Sequence, residues 1–377
     1  MLIPMEETLA VLPVSATGRV VTREQRDFFT RLPKVELHCH LLGAMREETF
    51  RDLARHYDAP IPADMAAGLY TRGRKPVGVL HALRAMEQYL LRRPEDLARL
   101  VREYLEDAAE AHVRHAEFFW NPTVTLNTHG LPYGEIQQAM VEAIEQAERD
   151  LGISALMIPA IDREAPPADA MVMVEEMLRH RHPRVAGIGI DYRENDGPPE
   201  WFADAYGLAR QNGLRTTAHA GEFGMPWTNV GIAVEQLGVD RVDHGYTVID
   251  NPVLAEGLKG RGMLFTVVPT NSYYLRVMKP EDWAHHHPIR KMLAMGLALH
   301  PNSDDPQLHR VSAAGAWELM YSHMGASRDD LRAMMLHGIA GSWASAERKA
   351  QWAAQWPLEF DMLAGAVEWE EGPSLRR

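Results

Sequence analysis

The sequence contains a single cysteine, Cys39, among its 377 residues. An intramolecular disulfide needs two cysteines and a cysteine-based zinc cage needs more, so both are excluded. Cys39 lies within an apolar, β-rich stretch, which favours a buried and unreactive thiol. Because disulfides mark oxidising compartments, their absence favours a cytoplasmic protein.

Long apolar runs and a surplus of positive charge are also missing. No uncharged run approaches the roughly 20 residues of a membrane helix. The apolar start of the chain lacks a basic region and carries Glu6 and Glu7, so we interpret residues 1–25 as a loose arm and not as a signal. The net charge of −13 would repel nucleic acids and anionic membranes. A small molecule is therefore the expected partner.

What the chain does contain is a regular alternation of β-rich and helical segments. The β-rich segments are KVELHCH, RHAEFFW, SALMIPAI, RVAGIGID, RTTAHAGE, DRVDHG, MLFTVVP and LALHPNSDD. Alternation of this kind indicates parallel strands joined by helices. Eight strands predict an α/β fold of the (β/α)8 TIM-barrel type, forming one domain over residues 26–377.

Two segments fall outside this alternation. Residues from about 51 to 100 are too long for one crossover and include the turn-rich YTRGRKPVG, so we predict extra helices beside the barrel mouth. The tail, with Trp343, Trp352 and Trp356, predicts terminal helices that pack on the barrel or on a second copy of the chain in a homo-oligomer.

The first candidate site residues are His38 and His40, at the end of the first predicted strand. Residues two apart on a strand share a face, so both imidazoles would enter the barrel mouth together while Cys39 points outward. The pattern alone is compatible with a metal pair and also with hydrogen-bonded histidines at a strand end. The residues at the other strand ends decide between these two interpretations.

The motif TAHAGE, from Thr217 to Glu222, supplies His219 as a third nitrogen ligand and Glu222 as a carboxyl beside the metal, suited to general acid–base work. Gly221 would leave room for a substrate to approach the backbone. The adjacent carboxylates Asp304 and Asp305 would repel each other unless a cation binds one of them. With Asp304 as a ligand, three histidines and one aspartate predict a zinc site with a position open for water.

His244, in VDHGY, follows another predicted strand. It could be a further ligand, but we favour a catalytic role in which it orients the attacking oxygen and stabilises charge. The run His285, His286 and His287 precedes a proline and a helical pattern, and we interpret it as a solvated loop and helix start.

The motifs LPKVELHCHLLG, TAHAGE, RVDHGY and NSDDP, in this order over roughly residues 30 to 345, resemble the adenosine and adenine deaminase family of the amidohydrolase superfamily. The resemblance implies a distorted (β/α)8 barrel and one zinc ion per chain, held by His38, His40, His219 and Asp304. It also implies Glu222 as the proton shuttle, His244 as the residue that poises the hydroxide, and Asp305 as a ligand of purine N7. The implied reaction converts a 6-aminopurine to a 6-oxopurine and ammonia.

Two departures, at Leu42 and in the stretch DYRENDGPP, bear on the substrate. Leu42 stands where adenosine deaminases carry an aspartate that contacts ribose and adenine deaminases typically carry a glutamate. Glu194, in DYRENDGPP, is similar to the adenine-deaminase pattern, and we expect it to contact the substrate. Tyr192 and Arg193 replace small residues there. The substrate could therefore be adenosine, adenine or a substituted aminopurine, with Leu42 at the rim of its pocket.

Two alternatives remain open at this stage. Two-metal amidohydrolases commonly carry a bridging lysine after the fourth strand, and GIGIDYREND has none, which favours one metal and leaves a mononuclear enzyme with a non-purine substrate as the rival. The other rival is a catalytically silent purine-binding protein on the same barrel, but no ligand or acid–base residue is lost.

Overall fold

Eight parallel strands form the centre of the molecule, which is a computed structural model that describes residues 3–74, 76 and 79–370. The strands pair in chain order from β1 to β8. They are β1 (Lys34–His40), β2 (Val113–Trp120), β3 (Ser154–Asp162), β4 (Gly187–Asp191), β5 (Arg215–Ala220), β6 (Arg241–His244), β7 (Leu264–Val267) and β8 (Ala298–Pro301). All eight predicted strands are confirmed.

A parallel bridge between Cys39 and Asp304 connects the region after β8 back to β1. The β1–β2 pairing shifts register between Lys34 and Val35 and again between Glu36 and Cys39. Three strands span only four residues each, namely β6, β7 and β8. These features confirm the distorted barrel.

Helices cover the strands and continue at both ends of the chain. They are α1 (Met5–Val11), α2 (Arg23–Arg31), α3 (Glu47–His56), α4 (Ala63–Tyr70), α5 (Val79–Tyr89), α6 (Pro94–Glu110), α7 (Pro122–His129), α8 (Tyr133–Leu151), α9 (Pro167–Arg179), α10 (Ala203–Gln211), α11 (Trp227–Ile232), α12 (Pro252–Gly260), α13 (Ser272–Val277), α14 (Pro280–His286), α15 (Pro288–Ala294), α16 (Pro306–His309), α17 (Ala313–Ser322), α18 (Arg328–Gly341) and α19 (Ala346–Gly365). Short 3-10 turns at 199–202 and 246–250 and a π turn at 233–237 complete them.

Helix α6 buries one apolar stripe, whereas all ten residues of α17 are buried. In α6 the buried side chains Leu97, Leu100, Val101 and Leu105 recur every three or four residues, which puts them on one face. Each such side chain contributes about 1.5–3 kcal/mol when it leaves water. Cys39 is fully buried on the side of β1 that faces Tyr104 of α6, so its predicted burial is confirmed and its pKa is raised by that burial.

The insertion forms α3, α4 and α5 before the barrel helix α6, as predicted. Part of the turn-rich piece 70–78 lies outside the described residues, namely Lys75, Val77 and Gly78. At the other end, Trp352 and Trp356 of α19 stack at 4.9 Å and are buried within the chain, where Trp352 also contacts His115 of β2.

The N-terminal segment is not loose, which corrects that part of the sequence interpretation. Ser15 and Thr17 both donate hydrogen bonds to the carbonyl oxygen of Ser322, and Arg19 donates to the carbonyl oxygen of Tyr321 at 2.9 Å. Met5 also packs beside Gly315 of α17, whereas Val14 and Val20 remain exposed, so the segment is held mainly by polar contacts with this helix. Among the described residues, no helix is both long and apolar enough to cross a membrane.

Candidate active site

The mouth of the barrel gathers the four predicted metal ligands. Nε2 of His38 and Nε2 of His40 each lie 3.3 Å from Oδ1 of Asp304, and Nε2 of His40 lies 3.1 Å from Nε2 of His219. Ligand atoms of a tetrahedral zinc ion stand about 3.4 Å apart, since each lies about 2.0–2.1 Å from the metal. The spacing of these side chains therefore fits one metal ion.

The hydrogen bonding of this His/Asp cluster also fits a cation. Nε2 of His38 is buried and has no hydrogen-bond partner among the described residues. Nε2 of His40 and Nε2 of His219 face each other, and two lone pairs at this distance repel unless a proton or a metal ion lies between them. Because buried polar atoms without partners are costly, a bound cation would stabilise the cluster.

The backbone around the cluster adopts conformations that few residues accept. The φ angles of Asp304, His244 and Tyr192 are 65°, 64° and 67°, in the left-handed region that favours glycine. The Asp304 amide donates to the carbonyl oxygen of His38 at 3.1 Å, and the His40 amide donates to the carbonyl oxygen of Asp304 at 2.7 Å. Strand β1 thus holds the strained Asp304 where its carboxylate meets both histidines.

Glu222 lies beside the cluster, after the end of β5. Its Oε1 accepts a hydrogen bond from Nδ2 of Asn271 at 3.0 Å, and its Oε2 lies 3.5 Å from Nε2 of His244. Burial, followed by the charge of Asp304, raises the pKa of Glu222 well above its ordinary value. A cation on Asp304 would offset the second cause, but burial would remain. Burial therefore favours the protonated form of this carboxyl.

His244 occupies the end of β6, as predicted. One ring nitrogen of His244 lies within 4.8 Å of potential ligand atoms of His38, His219 and Asp304, so His244 could also be a metal ligand. Its Nδ1 lies 3.2 Å from the hydroxyl of Tyr246. Burial, followed by the neighbouring histidines, lowers the pKa of His244 well below its ordinary value.

Asp305 lies next to the cluster, and its carboxyl group is buried and faces the cavity. Oδ1 of Asp305 has no hydrogen-bond partner among the described residues. Burial, followed by the charge of Asp304, raises the pKa of Asp305. This oxygen is buried beside Gly43, where an added Cβ atom would collide with it, while the carboxyl group as a whole lines the cavity.

Asp304, Asp305 and His309 form a second group of potential metal ligands. Both ring nitrogens of His309 already contact hydroxyls, Nδ1 with Thr270 at 3.3 Å and Nε2 with Ser272 at 3.2 Å. The second group therefore has no free imidazole, which favours a single metal ion.

Glu194 and Gly221 do not lie where a substrate contact was predicted. Oε1 of Glu194 accepts from the Gly221 amide at 2.8 Å and from Nδ2 of Asn229 at 2.9 Å, while Oε2 accepts from the Glu222 amide at 3.1 Å. Glu194 is buried and is not among the described residues that line the cavity. Both carboxylate oxygens of Glu194 thus bind groups of the protein, including the backbone amide of Glu222. The predicted contact of Glu194 with the substrate is therefore wrong.

Gly221 has φ +67°, and a Cβ atom there would collide with Thr247 and Val230. The glycine is therefore required by packing within the protein. The space beside it is not open to a substrate, contrary to the sequence interpretation.

A cavity of about 490 Å³ opens over the cluster. Its floor includes Glu222, Asp305 and three members of the His/Asp cluster, namely His40, His219 and Asp304. Its apolar walls comprise Val79, Leu80 and Leu83 of α5 together with Phe223, Met225 and Tyr273. A volume of this size suits a small-molecule ligand.

Leu42 was predicted at the rim of this cavity, and this prediction is wrong. Its side chain is 6% exposed, belongs to the main hydrophobic cluster, and is not among the described residues that line the cavity. The turn after β1 directs Leu42 into the interior, because Gly43 packs directly against the backbone of Asp305.

Tyr192, which the sequence singled out as a departure, forms a contact that sequence reasoning missed. The guanidinium carbon of Arg84, on α5, lies 3.6 Å from the centre of the Tyr192 ring. Arg84 also donates two hydrogen bonds to Asp162, at 2.5 and 2.7 Å, and one to Glu164 at 2.9 Å. This arginine attaches α5, and with it one wall of the cavity, to the ends of β3 and β4.

Asn271 and Asp243 were also missed, and each left a weak signal as a polar residue beside a strand end. Of the histidine run, His285 and His286 are exposed as predicted, but His287 is buried. Nδ1 of His287 accepts a hydrogen bond from the amide of Ile289 at 3.3 Å and so caps α15. Its burial against Trp283 and Tyr274 corrects the expectation of a solvated loop.

Known proteins are similar to this chain in both sequence and fold. The adenosine deaminase family model matches residues 33–355. An adenine deaminase from Cupriavidus necator is 31% identical over 330 residues, which cover 86% of this chain and 91% of that protein. The crystal structure of an amidohydrolase from Burkholderia ambifaria with bound zinc is 57% identical, with a TM-score of 0.93, covering 94% of this chain and 98% of that one.

The crystal structure of an adenine deaminase from Arthrobacter aurescens is 28% identical, with a TM-score of 0.78, and covers 89% of this chain and 99% of that one. The match to the family model spans most of the chain and includes every residue of the His/Asp cluster. The protein is thus a hydrolase that acts on the C–N bonds of cyclic amidines, and the chain belongs to the adenosine deaminase family.

Proposed function

We propose that the chain deaminates a 6-aminopurine, with adenine as the first candidate, and that one zinc ion bound by His38, His40, His219 and Asp304 takes part. The observation that carries the proposal is that Glu222 and Asp305 line one cavity with His40, His219 and Asp304 of the His/Asp cluster. An acid–base carboxyl, a second carboxyl for the substrate and a metal cluster are the three parts that hydrolytic deamination needs.

The His/Asp cluster would hold the ion without help from sulfur ligands, which matches a nitrogen- and oxygen-rich zinc site. Zinc there would act as a Lewis acid and lower the pKa of water toward neutrality. His244 would face the attacking oxygen, with Nδ1 held by Tyr246 and Nε2 turned toward Glu222.

Glu222 would transfer the proton that the reaction needs. Its protonated carboxyl gives a proton to N1 of the purine, which breaks the aromaticity of the ring and makes C6 electrophilic. The oxygen of water bonds to C6, and one proton of the water returns to the Glu222 carboxylate. The remaining hydroxyl proton passes to the amino nitrogen, the bond from C6 to that nitrogen breaks, and ammonia leaves as the C6 carbonyl forms. Adenine and water thus yield hypoxanthine and ammonia.

Asp305 would orient the purine. N7 of the ring accepts hydrogen bonds, so the carboxyl of Asp305 would donate to it in the protonated form. The apolar wall from Val79, Leu80 and Leu83 favours the flat face of a base over the hydroxyls of a sugar. The adenine deaminase names of several relatives support the same choice.

The test is a substrate panel with the zinc-loaded protein. The loss of 6-aminopurine absorbance would be followed for adenine, adenosine, deoxyadenosine and 6-methylaminopurine, with adenine expected to give the highest kcat/KM. Metal content would be measured on the same samples, with one zinc per chain expected. Chelation should abolish turnover, and added zinc should restore it.

Two results would contradict the proposal. A protein with one zinc per chain that converts none of these compounds would exclude a 6-aminopurine deaminase of this substrate range. Two tightly bound metal ions per chain would favour a two-metal amidohydrolase instead.

A further inference from the structure

Asp243 is a fully buried carboxylate on β6, one residue before His244. Its Oδ1 accepts a hydrogen bond from the Thr266 hydroxyl at 2.8 Å, and its Oδ2 accepts one from the Thr217 hydroxyl at 2.8 Å. Oδ2 also lies 3.3 Å from Nδ1 of His219. Asp243 is not among the described residues that line the cavity, so it does not meet the substrate.

The same carboxylate reaches a second histidine through a hydroxyl. Nδ1 of His38 lies 3.0 Å from the Thr266 oxygen and 3.9 Å from Oδ1 of Asp243. A threonine hydroxyl has one proton, and Thr266 gives it to Asp243. The hydroxyl oxygen must therefore accept from His38, which requires the proton of that imidazole on Nδ1.

His219 follows the same logic by direct contact. An ionised carboxylate only accepts hydrogen bonds, so the Nδ1 that faces Asp243 must carry the proton. The 3.3 Å contact with Asp243 is an ion-pair contact, and this nitrogen has no hydrogen bond to any described residue. Both imidazoles then present the lone pair of Nε2 to the His/Asp cluster, where a metal ion would bind.

We propose that Asp243 is a positioning residue that fixes the tautomer and ring orientation of His38 and His219 together, one through Thr266 and the other directly. His40 has a separate partner, because its Nδ1 lies 3.4 Å from Oδ2 of Asp191, which lines the cavity. One shielded carboxylate thus organises two ligands, while a cavity-facing one serves the third.

Carboxylates that orient metal-binding histidines typically change metal affinity by about 10–100-fold when they are replaced. Since Asp243 acts on two ligands, Asp243→Asn should weaken zinc binding by about 100-fold. The amide group would place a donor toward His219 or remove an acceptor from Thr266, and either change releases one imidazole to its other tautomer.

The experiment uses the full chain and two readouts. Zinc affinity would be measured by competition with a chromophoric chelator. The tautomers of His38 and His219 would be read from 15N chemical shifts of histidine-labelled, metal-free protein. Wild type should show Nδ1–H for both residues, and Asp243→Asn should show Nε2–H at His38, His219 or both.

Two threonine variants complete the experiment: Thr266→Val tests the relay, and Thr217→Val is its matched control. Thr266→Val removes the relay to His38 alone, so zinc affinity should fall by about 10-fold while the His219 tautomer is unchanged. Thr217→Val removes a hydrogen bond to Asp243 but not the contact of Asp243 with either histidine. Its zinc affinity should therefore stay within about threefold of wild type, which is small beside the roughly 10–100-fold loss expected when an orienting carboxylate is replaced. Thr266→Val carries the test if Asp243→Asn does not fold.

The proposal rests on the proposed metal site, and the outcomes separate the two. A wild-type chain that does not bind zinc would overturn the metal site itself. Normal zinc binding by the wild type, with unchanged affinity and tautomers in Asp243→Asn or in Thr266→Val, would overturn only the positioning role. Equal losses in Thr217→Val and Thr266→Val would reduce Asp243 to a structural residue and would also overturn it.

Discussion

The two sides of the cavity are built in different ways. The strand-end side, formed by residues at the ends of β1, β5, β6 and β8, is carried by backbone hydrogen bonds between neighbouring strands. The insertion side, formed by Val79, Leu80, His81 and Leu83 of α5, is attached to the barrel through Arg84 and its contacts with Asp162, Glu164 and Tyr192. One side depends on the barrel itself and the other on a few side chains.

This difference assigns separate tasks to the two sides. The metal cluster and Glu222 need fixed positions, because displacement of a reacting group by an ångström can cost two orders of magnitude in rate. Strands provide that rigidity. The α5 wall only has to fit the substrate, and an attached helix can change between relatives without moving the reacting groups. Changes on the strand-end side should therefore lower kcat, and changes on the insertion side should raise KM.

The largest effect is expected from Glu222→Gln. The amide cannot transfer the proton that N1 requires, so kcat should fall by roughly 10²–10⁴-fold. Zinc content should remain that of the wild type, because Glu222 is not among the proposed ligands. Steady-state kinetics with metal analysis on the same sample would check this, with the exposed Glu200→Gln as the matched control. Retained kcat in Glu222→Gln would remove Glu222 from the mechanism.

Leu42→Asp tests the border between the strand-end side and the core. The side chain is 6% exposed and surrounded by apolar neighbours, so a carboxylate there should lower the free energy of unfolding by about 3 kcal/mol or more. Leu42→Met should cost less than about 1.5 kcal/mol. Urea unfolding measures both. A stable Leu42→Asp protein that gains adenosine activity would show that the side chain faces the substrate after all.

The residues of the strand-end side were the ones that the sequence could predict. His38, His40, His219 and Asp304 each lie at a strand end, and a barrel brings strand ends to one mouth, so local patterns were enough to find the cluster. Glu222 could be found because it follows His219 closely in a single motif. The eight strands could also be predicted, because each is a short apolar run between helical segments.

Contacts between distant segments could not be predicted in this way. The partners of Arg84 lie on other elements, after β3 and β4, and no local pattern pairs them with α5. Leu42 and Glu194 were assigned to the substrate because of the family patterns that their motifs resemble. Here the turn at Gly43 packs on Asp305, and Glu194 binds the amides of Gly221 and Glu222. Their direction is decided by tertiary packing.

Glu194→Gln should show that the strand-end side includes residues behind the reacting groups. The amide nitrogen of glutamine would face an N–H group of Gly221 or Glu222, so one hydrogen bond is lost and a repulsion replaces it. We expect kcat to fall by about tenfold, which corresponds to about 1.4 kcal/mol, with little change in KM. A rise in KM at constant kcat would instead support the substrate contact predicted from the sequence.

Arg84→Met should produce the smallest effect and the opposite kinetic signature. Methionine keeps much of the apolar stem but loses the hydrogen bonds to Asp162 and Glu164 and the stacking on Tyr192, so α5 should be held less firmly. We expect KM for the best substrate to rise by about threefold to tenfold at nearly constant kcat, because binding to the α5 wall is lost equally in the ground and transition states. Arg51→Met, at an exposed i,i+4 pair with Glu47 on α3, is the matched control and should leave both constants unchanged. If Arg84→Met lowered kcat while KM stayed constant, the attached helix would be part of the catalytic geometry, and the separation of tasks between the two sides of the cavity would be wrong.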